Sequence, residues 1–371
     1  MLRCDVSALN CKVNGYGSHR FADYHRPAVT ESPPIPPRRP RAVMVDVARL
    51  AGVSHQTVSR VVNDSPSVAP ATRERVLRAM RQLEYRPNSI ARALVTGRTL
   101  TLGVVTFDTP LYGPASTLLG IERAAHDAGY FVSIVSLRSL DRASVLGAVA
   151  RLEAQSLDGI LIIAPHVETA SVVLNLPTHL PVVAVEAGPA EHVPVVSIDQ
   201  VAGARAATEH LLSLGHRTVC HIAGPDGWLE ARRRVDGWVA ALRAAGAPVP
   251  EAPAGDWSAR SGYAAAELLL AREPGVTAIF AANDQMALGV LRYLHESGRD
   301  VPGEISVVGF DDVPEAGYFT PPLTTIRQDF GEMGRRTVEA LLERIADPGG
   351  STEHVLVPAE LVVRGSTAPA R

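Results

Sequence analysis

The chain has 371 residues, is 46% hydrophobic and 20% charged, and carries a net charge of −3. This is ordinary globular composition for two or three domains. It holds no apolar run near the ~18 residues of a membrane span, no secretory signal pattern at its start, and only Cys4, Cys11 and Cys220, which suit a reducing cytoplasm with neither a disulfide framework nor a metal site. The charge is unevenly placed. From Arg38 to Arg98 there are twelve arginines and four acids, a local +8 that leaves −11 for the remainder. A basic head on an acidic body favours nucleic acid at one end.

In chain order, residues 1–43 are crowded with proline ("RPAVTESPPIPPRRPRA") and are expected to be extended. A dispensable extension, with translation starting at Met44, is favoured over an arm that touches phosphates. Residues 46–63, "DVARLAGVSHQTVSRVVN", read as two helices about a turn at Gly52. Val47, Ala48 and Leu50 supply the first apolar face. Ser54 caps the second helix, on which Val58, Val61 and Val62 point inward. His55, Gln56, Thr57, Ser59 and Arg60 then face out. Gln56 and Arg60 are four apart and share a face. Glutamine pairs with adenine and arginine with guanine in the major groove, while Ser and Thr suit phosphate oxygens. The pattern is a helix-turn-helix. A third helix, "PATRERVLRAMRQLEY", carries Val76, Leu77, Met80 and Leu83 as its stripe, with Arg73, Arg75, Arg78 and Arg81 elsewhere. In "RPNSIARALVTGR", Asn88 can cap a short helix that Gly97 ends.

Beyond residue 98 the texture changes. Runs at 101–106, 131–137, 159–164, 181–186, 218–224, 276–282 and 304–310 are short, apolar and rich in Val and Ile. Each is expected to be a strand buried on both faces. Helical segments at 115–128, 200–214, 229–245, 259–272 and 284–297 lie between most of them. The alternation implies parallel sheets, and the count implies two α/β lobes with ligands beyond the carboxyl ends of strands.

The motifs "DVARLAGVSHQTVSRVVN", "YRPNSIARAL", "HLLSLGHRTV", "GDWSARSGY", "ANDQMALGVL", "ISVVGFDD" and "PPLTTIRQDF" resemble the lactose-repressor (LacI/GalR) family of bacterial transcription regulators over residues 43–366. The last motifs are especially similar to those of the member that names the family. The resemblance implies an N-terminal all-α helix-turn-helix headpiece (44–87), a hinge helix (88–98) and a two-lobed α/β periplasmic-binding-protein-like core (99–366). Its N-lobe would be 99–198 and 330–357, and its C-lobe 199–328 and 358–366. It implies base reading by His55, Gln56 and Arg60, and backbone contacts from Ser54, Thr57, Ser59, Asn63 and Thr72. It also implies that the segment from Asn88 folds on DNA, with Leu94 wedged into the minor groove. At His55 the naming member carries Tyr, so the half-site is expected to differ.

For the core the resemblance implies effector contacts at Arg234, Trp257, Asn283, Asp311, Gln328 and Phe330. Their chemistry suits a sugar, with Trp257 stacking on a ring and the others holding hydroxyls. As structural alternatives, Asn283 caps the following helix and Asp312 the segment after it. From the other lobe Phe107, Leu111, Tyr112, Ile163 and Glu186 would line the site. Phe107, Tyr112, Ile163 and Glu186 replace Ser, His, Asn and Asp of the naming member, so a galactoside is disfavoured against another glycoside or an oligosaccharide. No cofactor or metal is expected. The partners expected are double-stranded operator DNA, a small-molecule effector and a second copy of the chain. The end, "LVVRGSTAPAR", lacks the heptads that make tetramers, so a dimer is expected.

The expected mechanism is release of the operator when ligand closes the cleft and melts the hinge, with a coupling of ~1–3 kcal/mol or somewhat more. A co-repressor-dependent regulator sensing a purine or nucleoside is the first alternative. An exported sugar-binding protein would lack residues 46–63. An enzyme is disfavoured, because neither a Walker loop nor G-x-S-x-G occurs and the adjacent Asp311 and Asp312 diverge.

Overall fold

The fold is that of a computed structural model, which describes residues 42–85, 97–107, 111–139, 141–173, 176–188, 190 and 192–371. The expectations for the proline-rich extension, for Asn88 and for Leu94 lie outside the described residues. The chain divides after Pro87 into two compact units.

In the first unit, α1 (Met44–Ala51) ends at Gly52, whose φ of 64° lets its N–H cap the carbonyls of Ala48 and Arg49. Ser54 begins α2 (His55–Val62) and accepts a hydrogen bond from the Thr57 N–H at 3.1 Å. Proline opens α3 (Pro70–Gln82), where its missing N–H costs nothing. The three helices share a core of Val47, Ala48 and Ala51, Val58 and Val61, and Val76 and Ala79. Leu50 and Leu77, both expected inside, are exposed. Alanines at 48, 51 and 79 let the helices approach closely, and that displaces the longer leucines to the rim.

In the second unit, six parallel strands form one sheet in the order β10-β5-β4-β3-β1-β2: β1 Thr101–Phe107, β2 Phe131–Leu137, β3 Gly159–Ile163, β4 Val182–Val185, β5 Val195–Ile198 and β10 His354–Val357. Helices α4 (Tyr112–Asp127) and α11 (Phe330–Ala346) cover one face. Helices α5 (Arg142–Glu153) and α6 (Val167–Val173) cover the other. The backbones of α4 and α11 meet at Gly120 and Gly334, where a Cβ on Gly120 would lie 2.1 Å from the Phe330 carbonyl oxygen. This contact seats Phe330.

A second, three-stranded parallel sheet holds β6 (Cys220–Ile222), β7 (Ala278–Ala281) and β8 (Ser306–Val308). Helices α7 (Gln200–Ser213) and α8 (Leu229–Ala244) pack on one side of it. Helices α9 (Ala259–Arg272) and α10 (Asp284–Glu296) pack on the other. An antiparallel pair, β9 (Thr325–Gln328) with β11 (Ala359–Val362), adjoins this sheet. The chain therefore passes between lobes at 198–200, 328–330 and 357–359. The C-terminal segment packs back on the second lobe. His216 contacts Thr277 Oγ1 at 3.0 Å, Ser306 Oγ at 3.1 Å and the Ala368 carbonyl at 3.2 Å, and the Ala370 N–H donates to the Leu214 carbonyl.

One strand departs from expectation. β2 is not buried on both faces; it closes the sheet edge, and Phe131 on it is 76% exposed. Its serines at 133 and 136 interrupt the apolar run, as an edge strand with one wet face allows.

Candidate functional site

The outward face of α2 matches its sequence pattern. His55, Gln56 and Arg60 are exposed, Thr57 and Ser59 half-buried, and Val58 and Val61 hold the helix from beneath. Ser54 is exposed and its hydroxyl lies 2.9 Å from that of Thr57. Asn63, the C-cap, is exposed, and Thr72 on α3 is half-buried. Arg73 is not on a free face. It donates to Asp64 Oδ1 at 2.5 Å and to the Ser65 carbonyl at 2.6 Å, fixing the loop between α2 and α3.

The second unit contains a cleft at the carboxyl ends of its strands. Leu111, Tyr112 and Phe330 line it from the first lobe, and Arg234, Trp257, Asn283, Asp311 and Gln328 from the second. Eight of the eleven residues expected at an effector site thus meet at one cavity, all but Phe107, Ile163 and Glu186. Trp228 and Glu230 also line it. Sequence reading missed both, although "GWLEARRR" places them just before and within the first turn of α8, the helix that carries Arg234.

The floor of the cleft is a chain of three hydrogen bonds closed into a ring by one ion pair. Arg234 Nε donates to Gln200 Oε1 at 2.8 Å, Gln200 Nε2 to Gln328 Oε1 at 2.8 Å, and Gln328 Nε2 to Asp311 Oδ1 at 2.6 Å. Asp311 Oδ1 returns to Arg234 at 3.6 Å. Arg234 also donates to the Ala282 carbonyl, and its guanidinium lies 3.9 Å from the ring centroid of Phe310. Buried ions need such saturation. Burial pushes the Asp311 carboxyl up to about 7 against the pull of Arg234. Asp284, fully buried, accepts from Thr325 Oγ1 at 2.6 Å and the Val313 N–H at 2.9 Å, and burial holds its pKa well above the ordinary range.

Asn283 caps α10 through the Met286 N–H at 2.9 Å and donates to the Trp257 carbonyl at 3.2 Å, so it both caps and lines. Asp312 is not a cap. It is bound by Arg327 at 2.7 Å and Arg364 at 2.6 Å. Trp257 is 6% exposed. A Cβ on Gly224 would sit 2.2 Å from its ring, and Arg234 lies 5.4 Å over it.

Glu186 departs from expectation, as do Phe107 and Ile163, because none of the three lines the cleft. Glu186 turns back into the first lobe, where its Oε1 accepts the Ile198 N–H at 2.8 Å and its Oε2 has no partner. Burial pushes its pKa up to about 8, helped by the neighbouring Glu230 carboxylate. Burial raises Glu230 as well, against Arg234 and Arg233. Glu186, Trp257 and Asp311 all hold positive φ, at 58°, 72° and 113°. Such strain costs ~1–3 kcal/mol each and gathers where ligands are clamped.

Comparison with known proteins places the chain in a family. Residues 43–88 match the model described as bacterial regulatory proteins, lacI family, and residues 208–367 match the periplasmic binding protein-like domain. The HTH-type transcriptional regulator CelR of Thermobifida fusca is 38% identical, across 89% of this chain and 99% of its own length. This chain belongs to the lacI family of bacterial regulatory proteins. The lactose operon repressor of Escherichia coli K12 is 36% identical over 87% of this chain and 90% of its own. The solved lac repressor dimer bound to operator and the anti-inducer ONPF superposes with a TM-score of 0.78 at 36% identity, covering 88% of this chain and 99% of that one. A CelR–cellobiose complex gives 0.63 at 35%, covering 88% and 100%. As a lacI-family member the chain is a DNA-binding transcription regulator. Among the described residues no helix is long and apolar enough to cross a membrane.

Proposed function

We propose that this regulator is a cytoplasmic repressor, not an enzyme, that binds a palindromic operator as a homodimer and leaves it when a small carbohydrate fills the cleft. His55, Gln56 and Arg60 read bases, and Ser54, Thr57, Ser59, Asn63 and Thr72 hold phosphates. The roles of Asn88, Leu94 and the hinge at 88–98 rest on the family resemblance alone. In the core, Arg234 and Asn283 act mainly by fixing the floor. Asp311, Gln328, Leu111 and Phe330 face the ligand, and Glu186 acts from behind Glu230.

The observation that carries this reading is where the floor stands. Gln200 opens the segment after the first crossing between lobes, and Gln328 precedes the second. A ligand that presses on this pair bears directly on the segments about which the lobes turn. The sugar-responsive relatives support the chemistry: one solved neighbour is a CelR–cellobiose complex and another a lacI-family regulator with bound ribose.

The test is fluorescence anisotropy on labelled palindromic duplexes with a saccharide panel. Operator affinity should fall with one saccharide. Affinity that rises with a purine would make the protein a co-repressor-dependent regulator instead.

A further inference from the structure

We propose that Asp158 is a positioning residue for operator binding: its carboxylate clamps the chain where it enters the core and fixes the point from which the segment 88–98 reaches toward DNA. This rests on the dimeric operator-binding reading above and gives a role to a residue at the opposite end of the first lobe from the cleft.

Asp158 stands one residue before β3, at the amino end of the first sheet, whereas the cleft lies at the carboxyl ends. Its Oδ1 accepts the Thr99 N–H at 2.7 Å and the Thr99 hydroxyl at 2.9 Å, and its Oδ2 accepts the Leu100 N–H at 3.0 Å. Its own N–H donates to the Thr101 carbonyl at 3.0 Å. The parallel ladder of β1 with β3 begins only at Leu102 and Gly159. The carboxylate therefore extends the hold of β3 to residues ahead of its ladder. Two successive amides on the two oxygens of one carboxylate make a bidentate grip, which fixes direction as well as position.

The backbone shows that this grip works against a preference. Leu100 has a φ of 52°, the left-handed region that an apolar side chain seldom enters. Its carbonyl accepts the Phe131 N–H at 2.9 Å, so β2 holds it from the other side. Gly97 also has a positive φ, of 68°, but a Cβ there would meet nothing within 4 Å. Within two residues the chain passes from open surroundings to a clamped track.

A dimer on a palindrome has to place two such segments at one fixed spacing. Ordering residues on binding has an entropic cost, and residues that Asp158 already holds add none. A rigid start thus favours the palindromic site over DNA that each headpiece can hold singly.

Fluorescence anisotropy of the full chain tests this, on a palindromic duplex that the wild type selects from a randomised pool and on a scrambled duplex of the same composition. Asp158→Ala should weaken the palindrome at least about tenfold, while the scrambled duplex binds as before. Asp158→Asn keeps an acceptor for Thr99 but turns an amide group toward Leu100, and it should fall between. Thr99→Val removes only the hydroxyl and should stay close to the wild type. Thermal unfolding runs alongside, and if Asp158→Ala does not fold, Asp158→Asn decides in the same way. A variant that melts lower yet keeps its preference for the palindrome shows a clamp that serves the sheet alone, and overturns the proposal. So does an equal loss on both duplexes. A wild type that prefers no palindrome overturns the dimeric operator-binding reading and the proposal together.

Discussion

Gly224 and Trp257 are in contact so close that a methyl group on the glycine would sit 2.2 Å from the indole. The ring has little room to retreat, because it is 6% exposed and Arg234 lies over it. Gly224→Ala should therefore push Trp257 into the cleft. The expected cost is ~1–3 kcal/mol of stability from overpacking, with effector binding lost and operator binding kept. Thermal unfolding and titration with the effector measure the two. An unchanged effector affinity would show that Trp257 stays in place.

The ring of Arg234, Gln200, Gln328 and Asp311 behaves as one unit. Gln328→Ala leaves Gln200 Nε2 and Asp311 Oδ1 short of partners. A loss of ~1–3 kcal/mol follows from buried groups left unsatisfied. Gln200→Ala breaks the same ring, so the double variant should lose less than the sum of the two. Strict additivity in chemical denaturation would separate the bonds.

On the headpiece two neighbouring residues should fail differently. Arg60→Ala should cost ~1–3 kcal/mol of operator affinity and relax sequence choice while stability holds. Ser54→Ala removes the α2 cap and should cost ~0.5–2 kcal/mol of stability. If Arg60→Ala weakened all duplexes equally, Arg60 would sit on phosphate.

Glu186 makes stability depend on pH. Its folded pKa is raised from 4.5 to about 8, so the folded chain binds the proton more tightly than the unfolded chain. Its stabilising contribution is full below about 4.5 and is lost as pH rises through about 8. Glu230, Asp284 and Asp311 are shifted upward too and add to the same trend, with Arg233 and Arg234 opposing. Glu186→Gln cannot ionise, so its melting temperature should gain on the wild type as pH rises from 5 to 8. A constant difference across that range would remove Glu186 as the source.

Much of this was legible in the chain. Strands such as Gly159–Ile163 and Ala278–Ala281 are continuous apolar runs, and Ser54 announces α2. The strands at Val195–Ile198, Thr325–Gln328, His354–Val357 and Ala359–Val362 were not foreseen. They are four residues long, and each carries at least one polar side chain among the apolar ones, because they lie at sheet edges or crossings. Helices α5, α6 and α11 were missed as well, although α11 carries an apolar stripe of Met333, Val338 and Leu341. In the cleft, motif residues were placed well because the family resemblance carried them. Trp228 and Glu230 belong to no motif, and only folding brings them beside Arg234. The misplacement of Glu186 has a backbone cause: its positive φ, which the sequence does not announce, accompanies a side chain turned to the Ile198 amide.

The floor of the cleft doubles as the joint of the molecule, because Gln200 and Gln328 flank the crossings. Altering it would change how the lobes articulate along with what they hold. Diversification of taste among such proteins should thus concentrate on the walls, which Trp228, Glu230 and Tyr112 help to form. An engineer wanting a sensor for a new sugar should leave the four-residue ring alone and rebuild what stands above it.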